Sequence, residues 1–143
     1  TIVQTKEEAD HSLQYMIAAA ILDDQVMPEQ YTQERINRQD IQDLLRKIYV
    51  RPSEEFSKRF PDEVACRLSI TFQDGSTISK EMKEYEGFRT SPMGWQTIVK
   101  KFEKLSESRA DSSLRREIID AVSNIDTIHV GDLTRLLAKL RTS

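Results

Sequence analysis

Disulfide bridges, a membrane span and a charge of one dominant sign are all missing from this 143-residue sequence. Its single cysteine, Cys66, excludes an internal disulfide. The longest apolar run, Met16 to Leu22, is far short of the roughly 20 residues that a membrane span needs. Acidic and basic residues are interspersed and the net charge is only −3. No bulk field therefore draws the chain to nucleic acid or to an anionic membrane. The four glycines are scattered, so there is no P-loop and no GxGxxG. His11 and His129 lie far apart without ligand spacing, which argues against a zinc site. The N-terminus lacks the basic-then-apolar order of a secretory signal, and cytoplasm is the default compartment.

What is present is a soluble-type mixture, 38% hydrophobic and 31% charged, enough for a packed core. Thr5-Lys6-Glu7-Glu8 has the spacing of a capping box. It predicts one helix from there to about Leu22, with Leu13, Met16, Ile17 and Ala20 on one stripe. His11, Tyr15, Ala18 and Leu22 form the opposite stripe. A helix apolar on both sides is buried on both sides, so something must cover the His11/Tyr15 face. Pro28 breaks the chain, and residues 30–36 form a short turn or helix. Asn37 is expected to cap a second helix carrying Ile41, Leu44, Leu45 and Ile48, with Arg46 and Lys47 in its last turn. Tyr49 to Arg51 reads as a short strand, and Ser53 to Glu63 as loop.

Val64 to Tyr85 carries the clearest strand signal, because Cys66, Leu68, Ile70 and Phe72 alternate with polar residues. A three-residue loop with Gly75 left-handed pairs Phe72 with Ser76, Ile70 with Ile78 and Cys66 with Met82. A two-residue loop would turn Ile78 onto the polar face, so the bulged hairpin is expected, with Cys66 as inert core. After the linker EGFRTSP, helices are predicted at about 95–106, 114–123 and 131–141. The fold class is α+β: helices packed on a small antiparallel sheet, followed by C-terminal helices. A hairpin with one extra strand is a poor sheet to stand alone, which points to a piece of a larger fold or a tight oligomer.

Three residues stand out chemically. Ser12 and Tyr15 are three apart and His11 and Tyr15 four, so one helix brings all three to one small volume. A phenol beside an imidazole can donate a proton to a leaving hydroxyl or stabilise an enolate-like charge. The alternative makes His11 the end of a solvated turn and Tyr15 a core aromatic with its hydroxyl satisfied. Arg89 is of the type that binds a carboxylate, its alternative being a solvated loop arginine.

The blocks ADHSLQYMIAAAILDD, MPEQYTQERI, CRLSITFQDGST and YEGFRTSPMGWQTIVKKFEKL follow the order and approximate spacing of the MmgE/PrpD family, which the chain resembles over nearly its whole length. The resemblance implies a lyase working on a small polycarboxylate such as 2-methylcitrate or cis-aconitate, by dehydration or decarboxylation. It implies a dimeric enzyme with a large helical domain and a smaller α+β lid, needing no metal or organic cofactor. Residues 1–93 would be the latter half of the lid, and 94–143 the helices that return to the helical domain. That N-terminal domain, or a separate subunit, becomes the expected partner, together with a homo-oligomer. Neither nucleic acid nor membrane is expected. Tyr15 matches a family tyrosine that faces the cleft between domains, with His11 and Ser12 beside it. The catalytic assignment is thus Tyr15 and His11, with Ser12 and Arg89 binding substrate. Asp24 stands where a glycine is common, and Gly94 where a capping serine is usual. The competing reading is a non-catalytic module, or one chain of a split enzyme that needs its partner to act.

Overall fold

A computed structural model describes residues 2–140. The chain divides into two compact units, residues 1–58 and 59–143. The boundary expected at 93/94 falls inside the second.

The first unit opens as its capping box dictates. The Thr5 hydroxyl accepts from the Glu8 amide, and the Glu8 carboxylate accepts from the Thr5 amide, starting α1 (Lys6–Asp10). The expected single helix does not form. His11 ends α1, Ser12 is extended, and a separate α2 (Leu13–Asp23) follows. The Ser12 hydroxyl accepts the Tyr15 amide at 3.1 Å, giving the backbone an alternative to continued helix.

At its far end α2 stops on Asp24, whose φ of +53° is left-handed. Glycine adopts that conformation freely, whereas a Cβ is crowded by the neighbouring carbonyl. Asp24→Gly is therefore expected to stabilise the chain by about 0.5 kcal/mol. Urea unfolding of the two proteins checks it, and a less stable variant would show that the carboxylate has another role.

A 3-10 turn (Pro28–Tyr31), α3 (Gln33–Ile36) and α4 (Gln39–Leu45) complete the first core. Asn37 closes α3 and does not open α4, because Thr32 caps α3 and commits Ile36 to it. Arg38 precedes α4 without a side-chain cap, and α4 stops at Leu45. Val3, Ala9, Tyr15, Ala18, Ala19, Ile36, Ile41 and Leu45 are buried together. Full burial of each large aliphatic among them contributes roughly 1.5–3 kcal/mol. α2 packs on α4 through the face that carries Tyr15, Ala18 and Ala19. The face needing an outside cover is thus the reverse of the expected one. Leu13 and Ile21 are 55% and 48% exposed, while Tyr15 is sealed. Tyr49 to Arg51 forms no strand, since no neighbouring strand is there to pair with it among the described residues. A short α5 (Glu54–Ser57) follows, inside the segment expected to be loop.

In the second unit β1 (Cys66–Thr71) and β2 (Thr77–Met82) pair antiparallel in the expected register, Cys66 with Met82 and Ile70 with Ile78. Phe72 donates to the Ser76 carbonyl at 2.8 Å, and Gly75 has φ +84°. Glycine is what allows the three-residue loop to close. On the polar face Glu81 accepts from Arg67 at 2.7 Å and from Arg59 at 2.8 Å, which holds its carboxyl below the usual range. The apolar face is mostly open, with Ile70 partly buried. Leu68, Phe72, Ile78 and Met82 are exposed, and so is Cys66, which corrects its reading as core. Alternation specifies a face, not what covers it.

α6 (Trp95–Ser106) starts at Gly94 with no side-chain cap. α7 (Ser112–Ser123) is capped by Asp111, whose carboxylate accepts from Ser113 and Leu114. α8 (Val130–Leu137) packs on α7. Arg141, the expected end of the last helix, lies outside the described residues. Ala110, Leu114 and Ile118 form this core, with Phe102, Leu133, Leu136 and Leu140 against it. A cavity of about 260 Å³ opens among the three helices, lined by apolar side chains that include Trp95, Phe102, Ile118 and Leu133. The architecture is α+β, and no helix among the described residues is long and apolar enough to cross a membrane.

Candidate functional site

The turn between α1 and α2 places His11, Ser12 and Tyr15 differently from a continuous helix. His11 is exposed at the end of α1, with Nδ1 at 2.8 Å from the Glu7 carbonyl oxygen. A neutral imidazole donating there keeps Nδ1–H and presents Nε2 as an acceptor, with no partner among the described residues. Ser12 is buried, and its hydroxyl is committed to capping α2 and to Gln14.

Tyr15 is 0% exposed. Its hydroxyl donates to the Gln30 carbonyl on the 3-10 turn, and its ring lies 5.7 Å from that of Tyr31. Burial pushes the phenol's pKa up, with the Arg35 charge pulling the other way. Within the first unit the phenol faces that unit's own packed residues. The phenol is a core aromatic with its hydroxyl satisfied, the alternative that the spacing had left open.

The groups that hold it there were not legible as a cluster. Arg35, buried beside the turn, grips Asp23 with two parallel bonds of 2.8 Å and reaches Asp40 at 3.0 Å. Asp23 also accepts from the Gln30 amide at 3.2 Å, and Gln30 accepts from the Met27 amide at 3.1 Å. The bonds from Arg35, then those from Gln30, hold the Asp23 carboxyl below its usual range. Thus one ion pair fixes Gln30, and Gln30 fixes the phenol. Asp23 and Arg35 are 12 residues apart, and neither periodicity nor a motif links them.

Arg89 belongs to the second unit, on the loop after β2. Gly87, with φ +101°, turns that loop, and its amide donates to the Ser91 carbonyl at 2.7 Å. The Arg89 guanidinium is exposed and ion-paired with the exposed carboxylate of Asp62.

Residues 2–127 match the MmgE/PrpD C-terminal domain. The chain belongs to the MmgE/PrpD family. Among curated relatives, the cis-aconitate decarboxylase of Aspergillus terreus (strain NIH 2624) is 31% identical over 131 residues, 90% of this chain and 26% of the relative. The cis-aconitate decarboxylase of Mus musculus is 26% identical over 138 residues, 93% of this chain and 27% of the relative. That of Homo sapiens is 25% identical over 134 residues, 93% and 28% respectively. This MmgE/PrpD chain thus spans about a quarter of the length of the curated relatives it matches. The family match stops before α8 (Val130–Leu137).

Taken as MmgE/PrpD residues, the four candidates separate. His11 offers an exposed ring nitrogen, and Arg89 an exposed cation already in contact with a carboxylate. Ser12 and Tyr15 are held in the first core.

Proposed function

We propose that this chain is the C-terminal segment of a lyase acting on a small polycarboxylate such as 2-methylcitrate or cis-aconitate. The supporting observation is the family match over residues 2–127, together with relatives named as cis-aconitate decarboxylases. In dehydration, a base takes the proton from the carbon beside a carboxylate, and the hydroxyl leaves as water after gaining a proton. In decarboxylation, the bond to a carboxylate breaks and a proton returns to carbon. The base comes from the part of the enzyme that this chain does not span, an N-terminal helical domain or subunit. His11 and Arg89 are the side chains here whose positions suit such chemistry. The imidazole is open to solvent, with Nδ1 fixed on a carbonyl so that Nε2 can exchange a proton. The guanidinium is already matched to a carboxylate. A cytoplasmic, dimeric enzyme is part of this reading.

A second reading makes the chain one component of an enzyme active only when assembled. One experiment serves both. Purified assembled enzyme and the isolated 143-residue chain are each given cis-aconitate or 2-methylcitrate, and released carbon dioxide and formed or lost C=C bonds are followed. Turnover of one substrate by the assembly alone is expected. No turnover of either substrate by the assembly would remove the lyase assignment, and turnover by the isolated chain would remove the need for a second part.

A further inference from the structure

The outer stripe of α2 is open at Leu13, Ala20 and Ile21 and half-buried at Met16 and Ile17. Leu13, Met16, Ile17, Ala20 and Ile21 occupy it, and α2 carries no charged side chain before Asp23. The helix's other face is the sealed one, with Tyr15, Ala18 and Ala19. An apolar stripe running along ~12 Å of helix marks an interaction surface more than a solvated one. Charge then narrows the partner. Through residue 30, Lys6 is the sole lysine or arginine, against Glu7, Glu8, Asp10, Asp23, Asp24 and Glu29. Asp23 is neutralised by Arg35, but Glu7, Glu8 and Asp10 precede the stripe, and Asp24 and Glu29 follow it, all exposed. A second copy laid on the stripe, parallel or antiparallel, brings acidic ends against acidic ends.

We propose that the outer stripe of α2 is a docking surface for a polypeptide helix with an apolar centre and lysine or arginine side chains at its ends. The identity of the natural partner rests on the lyase reading. That reading assigns it to the roughly three quarters of the relatives' length that this chain does not span. The stripe itself does not depend on that reading, because binding can be measured without turnover.

The test uses the full chain and two synthetic amphipathic helical peptides with the same leucine stripe, one flanked by lysines and one by glutamates. Calorimetric titration is expected to show the lysine peptide binding at least about tenfold more tightly than its twin, a difference of about 1.4 kcal/mol. The preference should shrink as salt is raised. Leu13→Ser combined with Ile21→Ser should weaken the lysine peptide by about tenfold or more with the helical circular dichroism unchanged. Val130→Ser, an equivalent change at an exposed residue on α8, should leave binding as it was. Equal affinity for both peptides, binding of neither, or equal weakening by Val130→Ser would overturn the proposal. So would unfolding of the Leu13/Ile21 variant, since the stripe would then belong to the chain's own fold.

Discussion

Replacing Arg35 with alanine is expected to destabilise the first unit by about 3 kcal/mol, a large share of the total stability of a small domain. Arg35 is 7% exposed and is paired with two carboxylates, Asp23 and Asp40. Removing it deletes more than an attraction. It leaves Asp23 partly buried without its cation, and it releases Gln30, whose amide shares that carboxylate. Arg35→Lys retains the charge but cannot reproduce the two parallel bonds, so an intermediate loss is expected. Urea unfolding at neutral pH measures both.

Acid should act on the same contact. Asp23 is held below the usual carboxylate range in the folded chain. A carboxyl with a depressed folded pKa contributes stability that is complete above its unfolded value and lost as pH falls through the folded one. Wild-type stability from this group should therefore drop only below about pH 4. In the Arg35→Ala chain Asp23 no longer has that depression, and this part of the acid dependence should vanish. If the variant keeps the wild-type acid limb, other carboxylates are responsible for it.

Which parts of this arrangement can be read from one sequence follows from how far each interaction reaches along the chain. The hairpin register is local and doubly specified. Period-two alternation demands one apolar face, and Gly75 supplies the single left-handed residue that keeps it. The faces of α4, α6, α7 and α8 are visible for a similar reason, since 3.6-residue spacing records burial. Capping also reaches only three residues, yet the stop at His11-Ser12 was hidden because apolar periodicity continues straight through it. Only the competition between the Ser12 hydroxyl and the helical backbone shows the break. Contacts between distant residues leave no such trace. Tyr15 to Gln30 and Asp23 to Arg35 join residues 15 and 12 apart. The pattern marks Tyr15 as apolar-facing, but does not say whether its phenol meets a substrate or a carbonyl. Likewise it makes both faces of α2 apolar without saying which one the chain covers itself.

That distinction gives Tyr15 its decisive experiment. Tyr15→Phe keeps the ring and removes the hydroxyl, leaving the Gln30 carbonyl buried and unsatisfied, a loss of about 1–3 kcal/mol. Tyr15→Ala also empties the centre of the first core and should cost about 3–5 kcal/mol. If an assembled lyase keeps this packing, the phenol stays on the Gln30 carbonyl and away from substrate. Tyr15→Phe should accordingly lower the melting temperature while changing turnover far less than the about hundredfold that a proton donor supplies. Turnover should be measured well below the variant's melting temperature, so that unfolding does not imitate a chemical defect. A hundredfold loss in a folded variant would mean that Tyr15 leaves Gln30 during the reaction and meets the substrate. Near-normal turnover with reduced stability would leave the phenol where the structure has it, as the hydrogen-bonded peg between α2 and the turn that follows.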